Sequence, residues 1–121
     1  MRVVVLVAAG IFFAGMGIYA LAAPAALVRP FRLTPDAAES RSEVRAVYGG
    51  FGLAVAGVLW WAASGTDDLR SGAALTVGVA LAGMAAGRVI SRVLDAGTAF
   101  YPIWFYCLVE VVGAALVLAV A

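Results

Sequence analysis

Long apolar runs separated by short polar stretches dominate this chain. Four runs reach the roughly 20 residues needed to cross a ~30 Å hydrocarbon core; they cover residues 3–23, 46–64, 72–90 and 101–121. None shows the two-residue alternation of a membrane barrel strand, and no internal repeat is visible. Helices satisfy their own backbone hydrogen bonds in lipid and are therefore the predicted elements. The expected fold class is all-α: an integral membrane four-helix bundle, with residues 1–121 forming a single four-span domain.

The punctuation between the runs predicts the connections. Pro24, Pro30 and Pro35 break the chain after the first span, so residues 24–45 form the one substantial loop. Thr34-Pro35-Asp36 reads as a helix start, with Thr34 as N-cap, Pro35 in the first position and an acid in the first turn. Nothing stops that helix before Gly65, so the second span should project from the membrane as one continuous helix. Gly65-Thr66-Asp67-Asp68 is a short polar turn. Asp95-Ala96-Gly97 leads into the last span, whose first turn accommodates Pro102.

Composition makes lipid the required solvent. Of 121 residues 65% are hydrophobic and 12% charged, and the mean hydropathy is +1.07. A water-soluble domain of this size leaves too much surface exposed to hide such a content. The net charge of +1 carries no nucleic-acid footprint. The chain has no His, Lys, Asn or Gln, which excludes histidine metal sites, His-dependent triads and Schiff-base lysines. A single cysteine, Cys107, excludes an intrachain disulfide and multi-cysteine metal sites. No cofactor, metal site or catalytic set is expected.

Arginine placement sets the expected orientation. Arg29, Arg32, Arg41 and Arg45 lie in the first loop, and Arg88 and Arg92 lie at the third connection; only Arg2 and Arg70 fall on the opposite face. Six against two places the loop 24–45 in the cytoplasm and both termini on the non-cytoplasmic side, in a multi-pass protein of the bacterial inner (plasma) membrane. Trp60 and Trp61 near one membrane surface, and Tyr101 and Trp104 near the other, suit interfacial anchors. A cleaved signal peptide ending at Ala20-Leu21-Ala22 is the rival reading of the first span. Its excess length and the following Arg29 and Arg32 argue against that reading.

Glycines inside membrane helices let backbones approach closely. Gly10, Ala14 and Gly17 in the first span, Gly50 and Gly57 in the second, and Gly83 and Gly87 in the third are the expected contact positions. They serve packing inside one bundle or, alternatively, a homodimer face.

The charges inside or beside the spans are the candidate chemistry. At about 100° per residue, Asp36, Glu39 and Glu43 fall on one face of the projecting helix, and Arg41, Arg45 and Tyr48 on the opposite one. The third span offers Arg88, Ser91 and Arg92 on one face, with Met84 one turn deeper; the fourth offers Tyr106, Glu110 and Gly113. Glu110 lies near the midplane, where an unpaired charge costs several kcal/mol. Helical side chains lean toward their own N-terminus, so Arg88 and Glu110 on antiparallel spans converge. The expected cluster is Arg45, Tyr48, Arg88, Tyr106 and Glu110, with Glu43 and Arg92 as further polar members. It is either an ion-pair lock, a recognition site for a phosphate or carboxylate headgroup, or a proton-coupling site built on Glu110. Cys107 is turned off this stripe and reads as core.

Arg41-Ser42-Glu43-Val44-Arg45-Ala46-Val47-Tyr48-Gly49-Gly50, then Gly83, Gly87-Arg88 and Ser91, and finally Glu110, together resemble the DUF4345 family of small bacterial membrane proteins. The similarity covers nearly the whole chain, and the stretch from Glu43 to Gly50 is its most specific part. It implies the four-span architecture and no reaction. DoxX-like four-helix membrane proteins are an analogy by size. Small multidrug transporters also carry a membrane glutamate, but in their first span, which here has no charge between Arg2 and Arg29.

The expected function is a non-enzymatic accessory, scaffold or small-ligand- or lipid-binding subunit built around the Arg/Glu/Tyr cluster. The alternative is a small oligomeric transporter or proton-coupled permease using Glu110. The bilayer is the expected partner. A second copy, another membrane protein, and an anionic lipid or small molecule are the open alternatives beside it.

Overall fold

The computed structural model describes all residues 1–121. Its helices are α1 (Arg2–Ala22), the short α2 (Pro24–Val28), α3 (Ala38–Ser64), α4 (Asp67–Leu94) and α5 (Phe100–Ala119). All except α2 are long and apolar enough to cross a membrane. The four long helices alternate in direction, so both termini lie at one end of the bundle. The 24–37 connection and the 95–99 turn lie at the other, here called the loop end.

The bundle is two antiparallel hairpins. Helix α1 packs chiefly on α3, and α4 on α5, with fewer contacts between the pairs. Leu6, Phe13, Leu59, Leu81 and Val117 are the larger members of a shared apolar core that otherwise consists mainly of alanines. At the terminal end a polar clasp joins all four long helices. Arg2 donates to the Val120 carbonyl at 2.9 Å and the Ser71 hydroxyl at 2.7 Å. It also reaches Asp67, which pairs with Arg70, and Arg70 in turn donates to the Ala63 carbonyl at 3.0 and 3.2 Å.

Local chemistry explains most boundaries. Pro24 opens α2 because its missing N–H and fixed φ suit the first helical turn. Thr66 caps α4, its hydroxyl accepting the Leu69 amide at 3.3 Å, and Asp67 and Asp68 follow in the first turn, where the helix dipole favours acids. The expected continuity of the second span holds, since α3 runs unbroken until Gly65. Its start is different from the expected one. Residues 34–37 are not helical, and the helix begins at Ala38 with Ala37 as N-cap and no side-chain cap. Instead, the Asp36 amide folds back onto the Thr34 carbonyl at 2.8 Å, a tight turn that removes Thr34 from the capping position.

Glycine placement also departs from expectation. The close approach of α1 to α3 uses Gly17 against Gly49 and Gly52, rather than Gly50 or Gly57. A Cβ on Gly17 would stand 2.8 Å from the Gly49 carbonyl oxygen, and one on Gly52 would stand 2.9 Å from that of Phe13. Gly57, Gly83 and Gly87 have no neighbour within 4 Å of a Cβ position and take no part in packing within the chain. Helix α3 also contains a π-helical stretch, Arg45–Gly50. Its i→i+5 bonding holds about one extra residue per turn and rotates everything beyond it relative to a uniform helix.

Gly52→Ala is expected to destabilise the fold by about 1–3 kcal/mol, because the obstructing atoms are backbone and cannot rotate away. Gly15→Ala, in the interior of α1 with nothing within 4 Å of its Cβ, should be neutral or stabilising by up to about 1 kcal/mol. Thermal melting of both variants in one mild detergent checks the contrast.

Candidate functional site

Helices α4 and α5 each carry one charged residue inward from the loop end, Arg88 and Glu110. Both lie on the faces the helices present to each other, and the N-terminal lean of each side chain closes the remaining gap. The Arg88 Nε donates to Glu110 Oε1 at 2.8 Å and Oε2 at 3.0 Å, and Nη2 donates to Oε1 at 2.6 Å. The Glu110 side chain is 6% exposed and that of Arg88 20%. A paired, multiply hydrogen-bonded carboxylate is the form in which a charge is tolerated midway along a membrane-length helix.

An aromatic layer lies beside the pair. The Arg88 guanidinium lies 5.7 Å from the Phe31 ring centre, within cation–π range. Phe31 packs on Tyr106 with ring centres 5.4 Å apart, and Tyr106 also meets Tyr101 and Phe105 at 6.3 and 5.1 Å. Phe31 comes from the connection after α1. Pro24 and Pro30 fold that connection back across the loop end, which lets it bridge the two hairpins. Cys107 is buried, with its thiol 3.9 Å from the Ala85 carbonyl on α4.

The structure brings together only part of the expected cluster. Arg88, Glu110 and Tyr106 are neighbours, and half-buried Tyr48 lies within electrostatic range of Arg88. Arg45 does not join them. Its Nε donates to the Leu21 carbonyl at 3.1 Å, satisfying the C-terminal end of α1. Arg45 is the first residue of the π-helical stretch, which changes its angular relation to the residues deeper in α3. Glu43 is exposed and enters no ion pair. Arg92 is exposed near the end of α4 and likewise has no carboxylate partner.

Two cavities open at the loop end. One, of about 360 Å³, lies between the last turns of α4 and the start of α5, with Arg88, Ser91, Arg92, Thr98 and Trp104 in its wall. The other, of about 430 Å³, lies between Pro30–Arg32 and residues 97–103. Phe31 and Thr98 are the site residues that sequence reasoning missed. Their loops carry no motif, and only chain reversal brings them to the spans. The prolines around the first loop are the one signal pointing to its return.

A bundle of four membrane-length helices with a paired interior charge defines a multi-pass membrane protein. The chain matches the family described as "Domain of unknown function (DUF4345)" over residues 1–121, and it belongs to that family. Comparison with curated proteins and with solved structures finds no match.

Removing Arg88 strands the buried Glu110 charge. Arg88→Ala is expected to cost about 3–5 kcal/mol, and Glu110→Gln less, because the neutral amide keeps an acceptor for the guanidinium. Arg45→Ala should cost only a small fraction of that, since water can replace its exposed hydrogen bond. Detergent melting temperatures should fall in that order; equal values for Arg88→Ala and Arg45→Ala would contradict it.

Proposed function

We propose that this protein is a non-enzymatic accessory or scaffold subunit of the bacterial inner membrane, with the loop end in the cytoplasm and both termini outside. The observation carrying this reading is the engagement of Glu110, whose two oxygens accept three hydrogen bonds from Arg88. A carboxylate held this way fixes the register of α4 on α5. An acid–base or proton-carrying role would require it to exchange partners. The arginine distribution supports the orientation, because Arg29, Arg32, Arg41, Arg45, Arg88 and Arg92 all lie at or near the loop end.

A rigid pair of hairpins with an aromatic bridge suits a partner-holding or ligand-holding subunit. The small-ligand reading is favoured by one observation of its own, the cavity whose wall includes Arg88 and Arg92. The competing role as a proton-coupled permease makes a different demand, since Glu110 must then release Arg88 and take up a proton during each cycle.

Proton flux separates these roles. Full-length wild type and Glu110→Gln, reconstituted at equal density in liposomes with an imposed pH gradient, are expected to show the same slow decay. A faster decay in wild type that the Gln variant abolishes would replace the scaffold reading with the permease.

A further inference from the structure

The cavity between α4 and α5 contains more hydrogen-bond donors than the fold uses. Arg88 commits Nε and Nη2 to Glu110, leaving Nη1 with no protein partner. Arg92, one turn nearer the loop end, has no carboxylate partner at all. Ser91 and Thr98 add hydroxyls to the same wall, and no acid lines the cavity. Asp95, the nearest acid in sequence, has its carboxylate on the Ala96 amide at 2.8 Å. Since Glu110 neutralises Arg88, the cavity carries the net positive charge of Arg92.

The local backbone suits an anion. The last carbonyls of α4 would repel one, and Arg92 in that turn offsets them. Across the cavity, Ile103 and Trp104 lie in the first helical turn after the non-helical Tyr101, at the positive end of the regular part of α5. Gly97 keeps the turn low beneath the guanidinium, because a Cβ there would stand 3.3 Å from Arg92 Nε.

The inner wall of the cavity is of a different character. Met84 and Gly87 line it on the side toward the membrane interior, and Trp104 flanks it at interfacial depth. Gly87 and, one turn deeper, Gly83 have nothing within 4 Å of their Cβ positions, so α4 presents an open furrow beside Met84. A headgroup-sized chamber with two arginines and two hydroxyls in its wall thus borders an apolar furrow running along a membrane-length helix.

We propose that this cavity binds the phosphate group of an anionic phospholipid: Arg92, the free Nη1 of Arg88 and the hydroxyls of Ser91 and Thr98 take the phosphate, and an acyl chain lies along Gly87 and Gly83. Arginine suits the task because its planar fork matches phosphate oxygens and its charge persists at any physiological pH. The inference stands apart from the scaffold reading. Its test leaves Arg88 and Glu110 intact, so a loss of binding at unchanged melting temperature reports on the cavity and not on the lock.

The test is native mass spectrometry of the delipidated full chain in mild detergent, titrated with phosphatidylglycerol, phosphatidylcholine and inorganic phosphate. Wild type is expected to take up phosphatidylglycerol in preference to phosphatidylcholine. Arg92→Ala should weaken that uptake roughly tenfold or more, the loss of a charge-assisted contact, and the double variant Ser91→Ala/Thr98→Ala should weaken it less. Arg29→Ala, an equal charge change at an exposed residue outside the cavity wall, should leave it unchanged. Millimolar inorganic phosphate that displaces the lipid, and binds wild type but not Arg92→Ala, would identify the free anion as the ligand of the same site. Failure to displace assigns the site to the lipid. Equal uptake by wild type and Arg92→Ala, equal losses in Arg92→Ala and Arg29→Ala, or no preference between the two lipids would each overturn the proposal.

Discussion

A carboxylate cannot remain ionised and unpaired in an apolar helix bundle, and Glu110, midway along the membrane-length helix α5, is 6% exposed. Pairing with Arg88 resolves that cost, and several features of the loop end follow from it. The hydrogen bonds from Nε and Nη2 fix the rotation of α4 against α5. They also hold the guanidinium plane where Phe31 can cover it, which anchors the connection after α1 onto the second hairpin. The Phe31–Tyr106 stack adds a second tie between that connection and the second hairpin.

The remaining contacts show how a bundle coheres when its solvent is as apolar as its side chains. Lipid gives helices little hydrophobic reason to associate, so close packing and polar ties carry more of the burden. Helix α1 meets α3 through Gly17, Gly49 and Gly52, with backbones near enough that a methyl group would collide with a carbonyl. At the terminal end Arg2, Asp67 and Arg70 join the helix ends where water can reach them. The two hairpins are therefore tied at both ends by different chemistry: an exposed hydrogen-bonded clasp at one, and an aromatic bridge over an ion pair at the other.

That arrangement gives Arg88 a double position. It faces Glu110 inside the α4–α5 interface, and the same guanidinium lines the cavity with Arg92. A residue fixed on one side and open on the other is preorganised for recognition, because its rotamer is already set when a ligand arrives. Membership of the DUF4345 family covers the whole chain and assigns no activity. The functional reading accordingly rests on how these few polar groups are placed.

The class of protein was legible from the residues alone. Apolar runs of membrane length admit only helices, because lipid offers the backbone no other hydrogen-bond partner, and Gly65 and Asp95-Ala96-Gly97 mark two of the turns. Convergence of Arg88 and Glu110 was legible too, since two regular antiparallel helices obey one rule of side-chain direction. Where regularity fails, so did the reading. Arg45, at the start of the π-helical stretch Arg45–Gly50, bonds to the Leu21 carbonyl, and the contact positions on α3 are Gly49 and Gly52 instead of Gly50 and Gly57. A tight turn at Thr34–Asp36 displaced the expected cap. Phe31 and Thr98 entered the site only because loops distant in sequence close over the same end of the bundle. Local spacing determines what a helix is and which way its side chains lean, whereas the groups that meet across the site depend on helix phase and chain reversal, which are settled only by packing.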